Sequence, residues 1–176
     1  MKLILLPRVI ALILLGGTIS VATAQREMPN SKRVRFPDTG VALSISIPEG
    51  WTTITAPNLL VIKPKVGNGR VSISMKDNVA DPQAELKKAL DYAKGQGVEL
   101  SWESDGEATE LNDMKSFQAR GSATKDGERW MLAQWIFTAD GKRYFSMSVQ
   151  GREKDEEIHR CLEGIARSIK PLTVAN

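Results

Sequence analysis

The sequence predicts an α+β fold, an antiparallel sheet of about six strands with at least two helices packed on it. Three observations support this expectation. Several segments alternate apolar and polar residues with the period of a β-strand. Two Asp-Gly pairs separate strand-like segments and are typical of tight hairpin turns. Two further segments repeat apolar residues every three or four positions, as amphipathic helices do.

The first half of the chain contains three strand-like segments. Alternation is clearest over 41–47, where each odd position is apolar, and a Pro-Glu-Gly turn ends this segment just before Trp51. A short apolar run over 59–63 and an alternating segment over 71–75 flank a Gly-Asn-Gly turn. We expect these two segments to form a hairpin.

The second half is predicted to form a β-meander. Strands are expected over about 98–102, 115–123, 130–138 and 143–150, with Asp-Gly turns at 126–127 and 140–141. The 130–138 segment is apolar on both faces, which predicts a central strand covered on both sides. The last segment, in contrast, has one polar face and is expected to expose it.

Two helices are expected on the sheet. Asp81 and Pro82 give an N-cap and a proline at the first helical position, and glycines at 95 and 97 end this helix. The second helix is predicted from about Lys154 to Ser168, with Pro171 just beyond its end. Its buried stripe would comprise Ile158, Cys161, Leu162, Ile165 and Ile169.

The first 24 residues have the order of a secretory signal peptide. Lys2 and Arg8 are their only charges, an apolar run follows, and residues 22–24 (Ala-Thr-Ala) match an A-x-A cleavage site. The apolar run is shorter than the roughly 20 residues of a spanning helix, so we expect cleavage after Ala24. Gln25 and not a cysteine follows, which disfavours a lipoprotein. The expected location is periplasmic or secreted, with membrane contact only through the signal peptide.

The expected mature chain is nearly neutral. Residues 25–35 are polar and predicted to form a flexible lead-in to a single domain over 36–172. Loss of the two N-terminal charges leaves 22 basic and 21 acidic residues, a net charge of about +1 in place of +3. This balance argues against a nucleic-acid partner. Cys161 is the only cysteine, so no disulfide can form within the chain, and no cofactor is expected.

Three segments resemble the PsbP-like α/β/α sandwich superfamily. Residues 44–51 (SISIPEGW) are similar to its opening strand and P-x-G-W turn, 140–145 (DGKRYF) to its late hairpin, and 165–169 (IARSI) to the end of its last helix. The resemblance covers about residues 36–172 and implies that fold. The superfamily includes photosystem II extrinsic proteins, a nuclear Ran-binding factor and bacterial envelope proteins of the DcrB kind. It therefore implies a binding or assembly role, and it assigns no functional residues because the matching parts determine the fold.

The reactive side chains of the last helix are expected to be structural. His159 is the only histidine, with Asp155 and Glu163 four positions away on either side. A zinc site would have to take all its other ligands from carboxylates, so we expect a solvated helix face and no metal site. Cys161 diverges from His159 around the helix and is predicted to be a core thiol.

The sequence predicts no catalytic residues. A Ser-His-Asp triad would have to use His159, but no G-x-S-x-G elbow precedes it. The Gly-Asn-Gly turn at 67–69 lacks the strand-to-helix context of a nucleotide site. The remaining enzymatic alternative is a small hydrolase that uses carboxylates and His159.

Three tryptophans are candidates for a ligand- or partner-binding surface. Trp51 is expected to plug the end of the sheet, and Trp130 and Trp135 are predicted to point to opposite faces of one strand. Core packing is the expectation for most of them. The sequence thus predicts an exported, non-enzymatic binding or accessory protein of the cell envelope. Its partner would be another envelope protein or a small apolar ligand held between sheet and helix.

Overall fold

The computed structural model describes residues 30–94, 99–104 and 106–172. Within these ranges the chain forms two helices, α1 (Pro82–Lys94) and α2 (Glu156–Ser168), and eleven strands. The strands are β1 (Ser31–Phe36), β2 (Ala42–Pro48), β3 (Trp51–Ala56), β4 (Leu59–Pro64), β5 (Gly69–Lys76), β6 (Glu99–Trp102), β7 (Glu107–Leu111), β8 (Met114–Lys125), β9 (Glu128–Thr138), β10 (Tyr144–Arg152) and β11 (Lys170–Leu172). Neither described helix is long and apolar enough to cross a membrane. The predicted signal peptide, its cleavage site and the glycines at 95 and 97 lie outside the described residues.

The strands form two antiparallel sheets. The large sheet has the order β3-β4-β5-β10-β9-β8-β6, with β7 also paired to β8, and the small sheet has the order β1-β2-β11. The predicted α+β class with an antiparallel sheet and packed helices is confirmed. The expected number of about six strands is too low, because the short segments β1, β3, β7 and β11 also pair. Their alternation is too brief, or too polar, to stand out in the sequence.

The predicted flexible lead-in over 25–35 is wrong for residues 31–35, which belong to strand β1. Its residues pair with β2 from Ser31, opposite Pro48, to Phe36, opposite Leu43. Phe36 is fully buried while the charged residues of the strand remain exposed. One strongly buried apolar side chain and a complete ladder of backbone hydrogen bonds therefore order a segment that composition alone marks as flexible. Residues 25–29 lie outside the described part of the chain.

Both helices begin at a capping aspartate. The Asp81 carboxylate accepts hydrogen bonds from the backbone N–H groups of Gln83 at 3.0 Å and Ala84 at 3.1 Å, as the sequence predicts. The Asp155 carboxylate accepts from the N–H of Ile158 at 3.1 Å. This cap places the first residue of α2 at Glu156, two positions after the expected start.

The C-terminal end of α2 forms hydrogen bonds with residues of both sheets. The Ser168 hydroxyl donates to the Ile165 carbonyl at 2.7 Å and accepts from the backbone N–H of Ser46 in β2 at 2.9 Å. The Asn112 side chain, in the turn between β7 and β8, donates to the carbonyls of Ala166 at 3.1 Å and Ile169 at 2.8 Å. Carbonyls that a helix end leaves without partners are thereby satisfied, and α2 is fixed in place.

The two faces of the large sheet are covered differently. We call the face under α2 and the small sheet the α2 face, and the opposite face, under α1, the α1 face. The main core lies on the α2 face between three layers, with its largest side chains from the sheets and α2: Phe36, Leu43, Ile45, Ile47, Trp51, Leu60, Ile62, Ile73, Phe137, Phe145, Met147, Leu162 and Ile165. The α1 face holds a much smaller buried cluster, made of Leu86, Leu90, Ala119 and Ile136.

The late strands follow the predicted meander. Asp126 and Gly127, both at positive φ, form the two-residue loop between β8 and β9, as expected for an Asp-Gly hairpin. Strand β9 lies between β10 and β8, so its predicted central position is confirmed. Strand β10 is also central, between β5 and β9, and its polar side chains lie on the α1 face.

Candidate binding groove

A groove of about 780 Å³ lies on the α1 face beside α1. The helix packs over β9, β8 and β6, which leaves the adjoining strands β10, β5 and β4 without a helix above them. We call this space the α1 groove. Its walls are the exposed flank of α1 on one side and Leu59 of β4 on the other. The sheet forms its floor.

Paired serines form the floor of the α1 groove. Ser74 lies opposite Ser146, and Ser72 lies opposite Ser148, across the β5–β10 ladder. Gln134 of β9 is buried beside them and donates from Nε2 to the Ser146 hydroxyl at 2.9 Å. Residues directly opposite each other in an antiparallel pair share one face, so these hydroxyls form a continuous polar strip. The opposite face of the same two strands contributes apolar residues to the main core.

Aromatic side chains line the end of the groove near the C-terminus of α1. They belong to Tyr92 of α1, Trp102 of β6 and Trp130 of β9. Tyr92 is exposed, and the Arg152 guanidinium lies 5.8 Å from the centre of the Trp130 ring. The Trp102 indole Nε1 is buried and has no hydrogen-bond partner among the described residues. This end therefore offers ring surfaces next to the polar floor.

The rim of the groove is basic. Four cationic side chains and one carboxylate line it: Arg70, Lys76, Lys88, Lys125 and Glu85. Lys88 forms an ion pair with Glu85, and the Arg70 guanidinium donates from Nε to the Ser72 hydroxyl at 2.8 Å. These five side chains carry a net charge of +3, compared with about +1 for the whole expected mature chain. Neutral or acidic polar ligands suit such a surface better than apolar ones.

His159 lies on the α2 face, where it lines a second cavity of about 680 Å³. The predicted solvated position is wrong, because the side chain is half-buried against β10. A Cβ added to Gly151 would lie 3.3 Å from His159 Cδ2, so the glycine leaves the space that the ring occupies. The imidazole Nε2 is buried and has no hydrogen-bond partner among the described residues.

The carboxylates that flank His159 in sequence have other partners. Asp155 caps α2, as described above, and Glu163 pairs with Arg167 at 3.3 Å. Within residues 30–94, 99–104 and 106–172, no three His, Cys, Asp or Glu side chains are grouped as a metal site requires. Both flanking carboxylates thus make contacts within α2, and the His159 ring lies half-buried between them along the helix.

Cys161 packs beside Trp51 at the edge of the main core. Burial raises the pKa of the thiol above its usual value, although a hydrogen bond with the Trp51 side chain acts in the opposite direction. A thiol of raised pKa is a weak nucleophile at neutral pH because little thiolate is present. The sequence places Cys161 in the buried stripe of α2, whereas the structure leaves it half-buried at the edge of the main core.

The three candidate tryptophans have separate environments. Trp51 is 8% exposed and belongs to the main core, so it offers no binding surface. Trp135 is half-buried against that core and lines the second cavity, whereas Trp130 lines the α1 groove. The expected opposite orientation of these two rings is confirmed. Sequence reasoning missed Trp102 and Tyr92 as groove residues, because the β6–β8 pairing and the docking of α1 bring them there.

Comparison with known proteins supports the fold. No protein-family model matches the sequence, and no curated protein matches it. The solved structure of CyanoP, the cyanobacterial PsbP of Synechocystis, is similar with a TM-score of 0.58 and 12% identity, over 90% of this chain and 99% of that chain. The Ran-binding protein Mog1p of Saccharomyces cerevisiae gives a TM-score of 0.54 and 9% identity, over 80% and 94% of the two chains.

A mycobacterial protein is similar in the same way. LpqN of Mycobacterium tuberculosis, described as involved in cell envelope biogenesis, has a TM-score of 0.53 and 16% identity, over 81% of this chain and 91% of that chain. Identities this low establish the architecture alone. The chain has a PsbP/Mog-like fold, as the resemblance of its turn and helix segments implied.

Proposed function

We propose that this chain is an exported, non-enzymatic binding protein that holds a polar segment of another envelope protein in the α1 groove. The observation that carries the proposal is the strip of paired serines along the floor of an open groove. The signal-peptide pattern of residues 1–24 supports export. The description of LpqN as involved in cell envelope biogenesis, and of Mog1p as Ran-binding, supports an accessory role.

The chemistry of the floor favours a polar ligand over the small apolar ligand that the sequence suggested. Hydroxyl and amide groups both donate and accept hydrogen bonds. Covering them with an apolar molecule would leave buried polar groups without partners, which is costly. An extended polypeptide segment offers N–H and C=O groups at regular intervals, and so it can satisfy the row that includes Ser72, Ser148 and Gln150.

The charge of the rim favours an acidic segment. Lys76 and Lys125 line the groove and would face carboxylates of the partner. Charged groups at the edge of an interface mainly affect association rate and salt dependence. We therefore expect binding to weaken as the ionic strength rises.

Site-specific photocrosslinking in the native host tests this proposal. A photoreactive amino acid replaces Ser148 on the groove floor, and in a matched variant it replaces Gln118, which lines the cavity on the opposite face. We expect one discrete polypeptide adduct from position 148 and none from position 118. Equal adducts from both positions, or an adduct of small-molecule mass at 148, would contradict a protein partner in the groove.

Charge reversal supplies the second control. Lys76→Glu with Lys125→Glu should abolish the adduct, whereas Lys32→Glu with Lys154→Glu changes the net charge equally at exposed sites away from the groove and should preserve it.

The mass of the recovered protein tests export in the same sample. A chain that begins at Gln25 fits the proposal, and a chain that retains residues 1–24 contradicts it.

A hydrolase is the second candidate, and one observation favours it. The unpartnered, buried Nε2 of His159 lies in the second cavity, where a base could act. This alternative requires that His159→Ala abolish a hydrolytic activity and leave the free energy of unfolding unchanged. Our proposal instead expects His159→Ala to leave the crosslink at position 148 intact.

A further inference from the structure

The large sheet ends at β3, and the outer edge of this strand carries no described strand. An edge strand presents N–H and C=O groups that can pair with another chain, and proteins usually block such edges with charges, prolines or very short strands. The other sheet edges of this protein follow that rule. Strand β3 does not.

The contrast between the edges is clear from their residues. Strand β1 carries Lys32, Arg33 and Arg35, and β11 has three residues with Pro171 at its centre. Strands β6 and β7, which share the far side of β8, are short and contain Glu99, Glu107 and Glu110. Strand β3 has six residues (WTTITA) with no charge and no proline. Threonine and isoleucine favour extended strands.

The register with β4 shows which groups of β3 point outward. The N–H of Lys65 donates to the Gly50 carbonyl at 2.8 Å, and Trp51 lies opposite Pro64, which has no N–H. Hydrogen-bonded and non-hydrogen-bonded pairs alternate along an antiparallel ladder. The backbone groups of Thr53 and Thr55 therefore face away from β4.

We propose that β3 pairs antiparallel with β3 of a second copy of this chain, which joins the two large sheets about a two-fold axis. A strand without charges can pair with itself because no like charges are brought together. In the register centred on Ile54, Thr53 of each copy exchanges backbone hydrogen bonds with Thr55 of the other. Ile54 then lies opposite its own symmetry mate in a non-hydrogen-bonded pair, where side chains approach most closely.

The exposure of Ile54 supports this register. Its side chain is 55% exposed on the α1 face, where Ile54 lies opposite Val61 of β4. Pairing would bury both copies of Ile54 against each other and remove apolar surface from water. Such a two-fold contact is self-complementary and closed, so it gives a dimer and not a fibre.

The first test measures the molar mass of the processed protein by sedimentation velocity over a range of concentrations. We expect a dimer for the wild type and half that molar mass for Ile54→Lys, because the substitution sets two like charges side by side on the axis. Val66→Lys is the matched control, since Val66 is 88% exposed in the β4–β5 turn, and it should remain dimeric. A monomeric wild type, or a dimeric Ile54→Lys variant with a native circular dichroism spectrum, would overturn the proposal.

The second test reads the register directly and does not depend on a destabilising change. In a Cys161→Ser background, Ile54→Cys should give a disulfide-linked dimer on mild oxidation, because the two positions face each other across the axis. Thr55→Cys faces Thr53 of the partner in the proposed register and should give little covalent dimer. Equal crosslinking at both positions would overturn the register. The groove proposal does not depend on this dimer, and the crosslink at Ser148 distinguishes failure of one from failure of the other.

Discussion

The two faces of the large sheet are formed by the same strands, but one face packs into a core and the other lines an open groove. On the α2 face, Ile73 and Met147 meet α2 and the small sheet in a three-layered core. On the α1 face, Ser74 and Ser146, their sequence neighbours, line an open groove that α1 covers only in part. The alternation of side chains along a strand makes this division possible. One face therefore supplies most of the buried apolar surface, and the other is left free to carry polar groups.

The attachment of the two helices reflects this difference. Helix α2 buries Ile158, Leu162, Ile165 and Ala166 and is held by the side chains of Ser168 and Asn112. Helix α1 buries only Leu86 and Leu90. Because hydrophobic stabilisation scales with buried apolar area, α2 is expected to be the more strongly held helix. The two faces are therefore expected to differ in how much a substitution destabilises the protein and in how accessible a thiol is.

The largest expected effect separates two tryptophans. Trp51→Ala removes a ring from the main core and should lower the free energy of unfolding by about 3–5 kcal/mol. Trp130→Ala removes a half-buried ring from the groove and should lower it by less than about 1 kcal/mol. Urea denaturation followed by circular dichroism measures both. Equal losses would mean that the α1 face contributes as much packing as the α2 face.

A matched pair of leucines is expected to give a smaller difference between the two faces. Leu162 of α2 and Leu90 of α1 are each 4% exposed, but they belong to the main core and the small cluster respectively. We expect Leu162→Ala to cost about 3–5 kcal/mol and Leu90→Ala about 2–3 kcal/mol, because α1 can settle into the space that its leucine leaves. The same urea titrations decide the order. A larger loss for Leu90→Ala would reverse the proposed ranking of the helices.

The smallest effect concerns thiol chemistry on the two faces. Burial raises the pKa of Cys161, so its alkylation should be slow at pH 7 and accelerate only above the pH at which an ordinary thiol ionises. A thiol introduced by Ser148→Cys, with Cys161→Ser, lies on the groove floor and should react faster at the same pH. Alkylation rates followed by mass spectrometry test this. Equal rates would show that the groove floor is no more accessible than the core edge.

Local signals in the sequence were enough to predict the helices, the late hairpins and the central position of β9. Asp81 caps its helix through its own side chain, and the Asp126-Gly127 loop needs only two residues of suitable conformation. The apolar residues on both faces of β9 likewise lie within one segment. Each of these signals depends on neighbours in the chain, which a sequence displays directly.

The features that the sequence did not predict correctly depend on contacts between segments that are distant in the chain. His159 is half-buried because Gly151 of β10 lies beneath its ring. The helical periodicity of α2 cannot show this contact, since it involves a residue outside the helix. The groove floor joins β5 to β10, and the polar alternation of each strand gives no indication of the other. Strand β3 was missed because a strand paired on one side only needs no strongly alternating pattern, and β1 because its Phe36 is buried by distant partners.

Strand β11 has a consequence for the order in which the chain folds. It pairs with β2, with Lys170 opposite Ser44 and Leu172 opposite Ala42, so the beginning and the end of the described chain complete the same sheet. Because β11 follows every other described element in the chain, the small sheet cannot be completed until residues 170–172 have been synthesised. Pairings between segments so far apart are slow to form, since a long loop must be closed first. The small sheet is therefore expected to form late in folding, after β11 has become available to pair with β2.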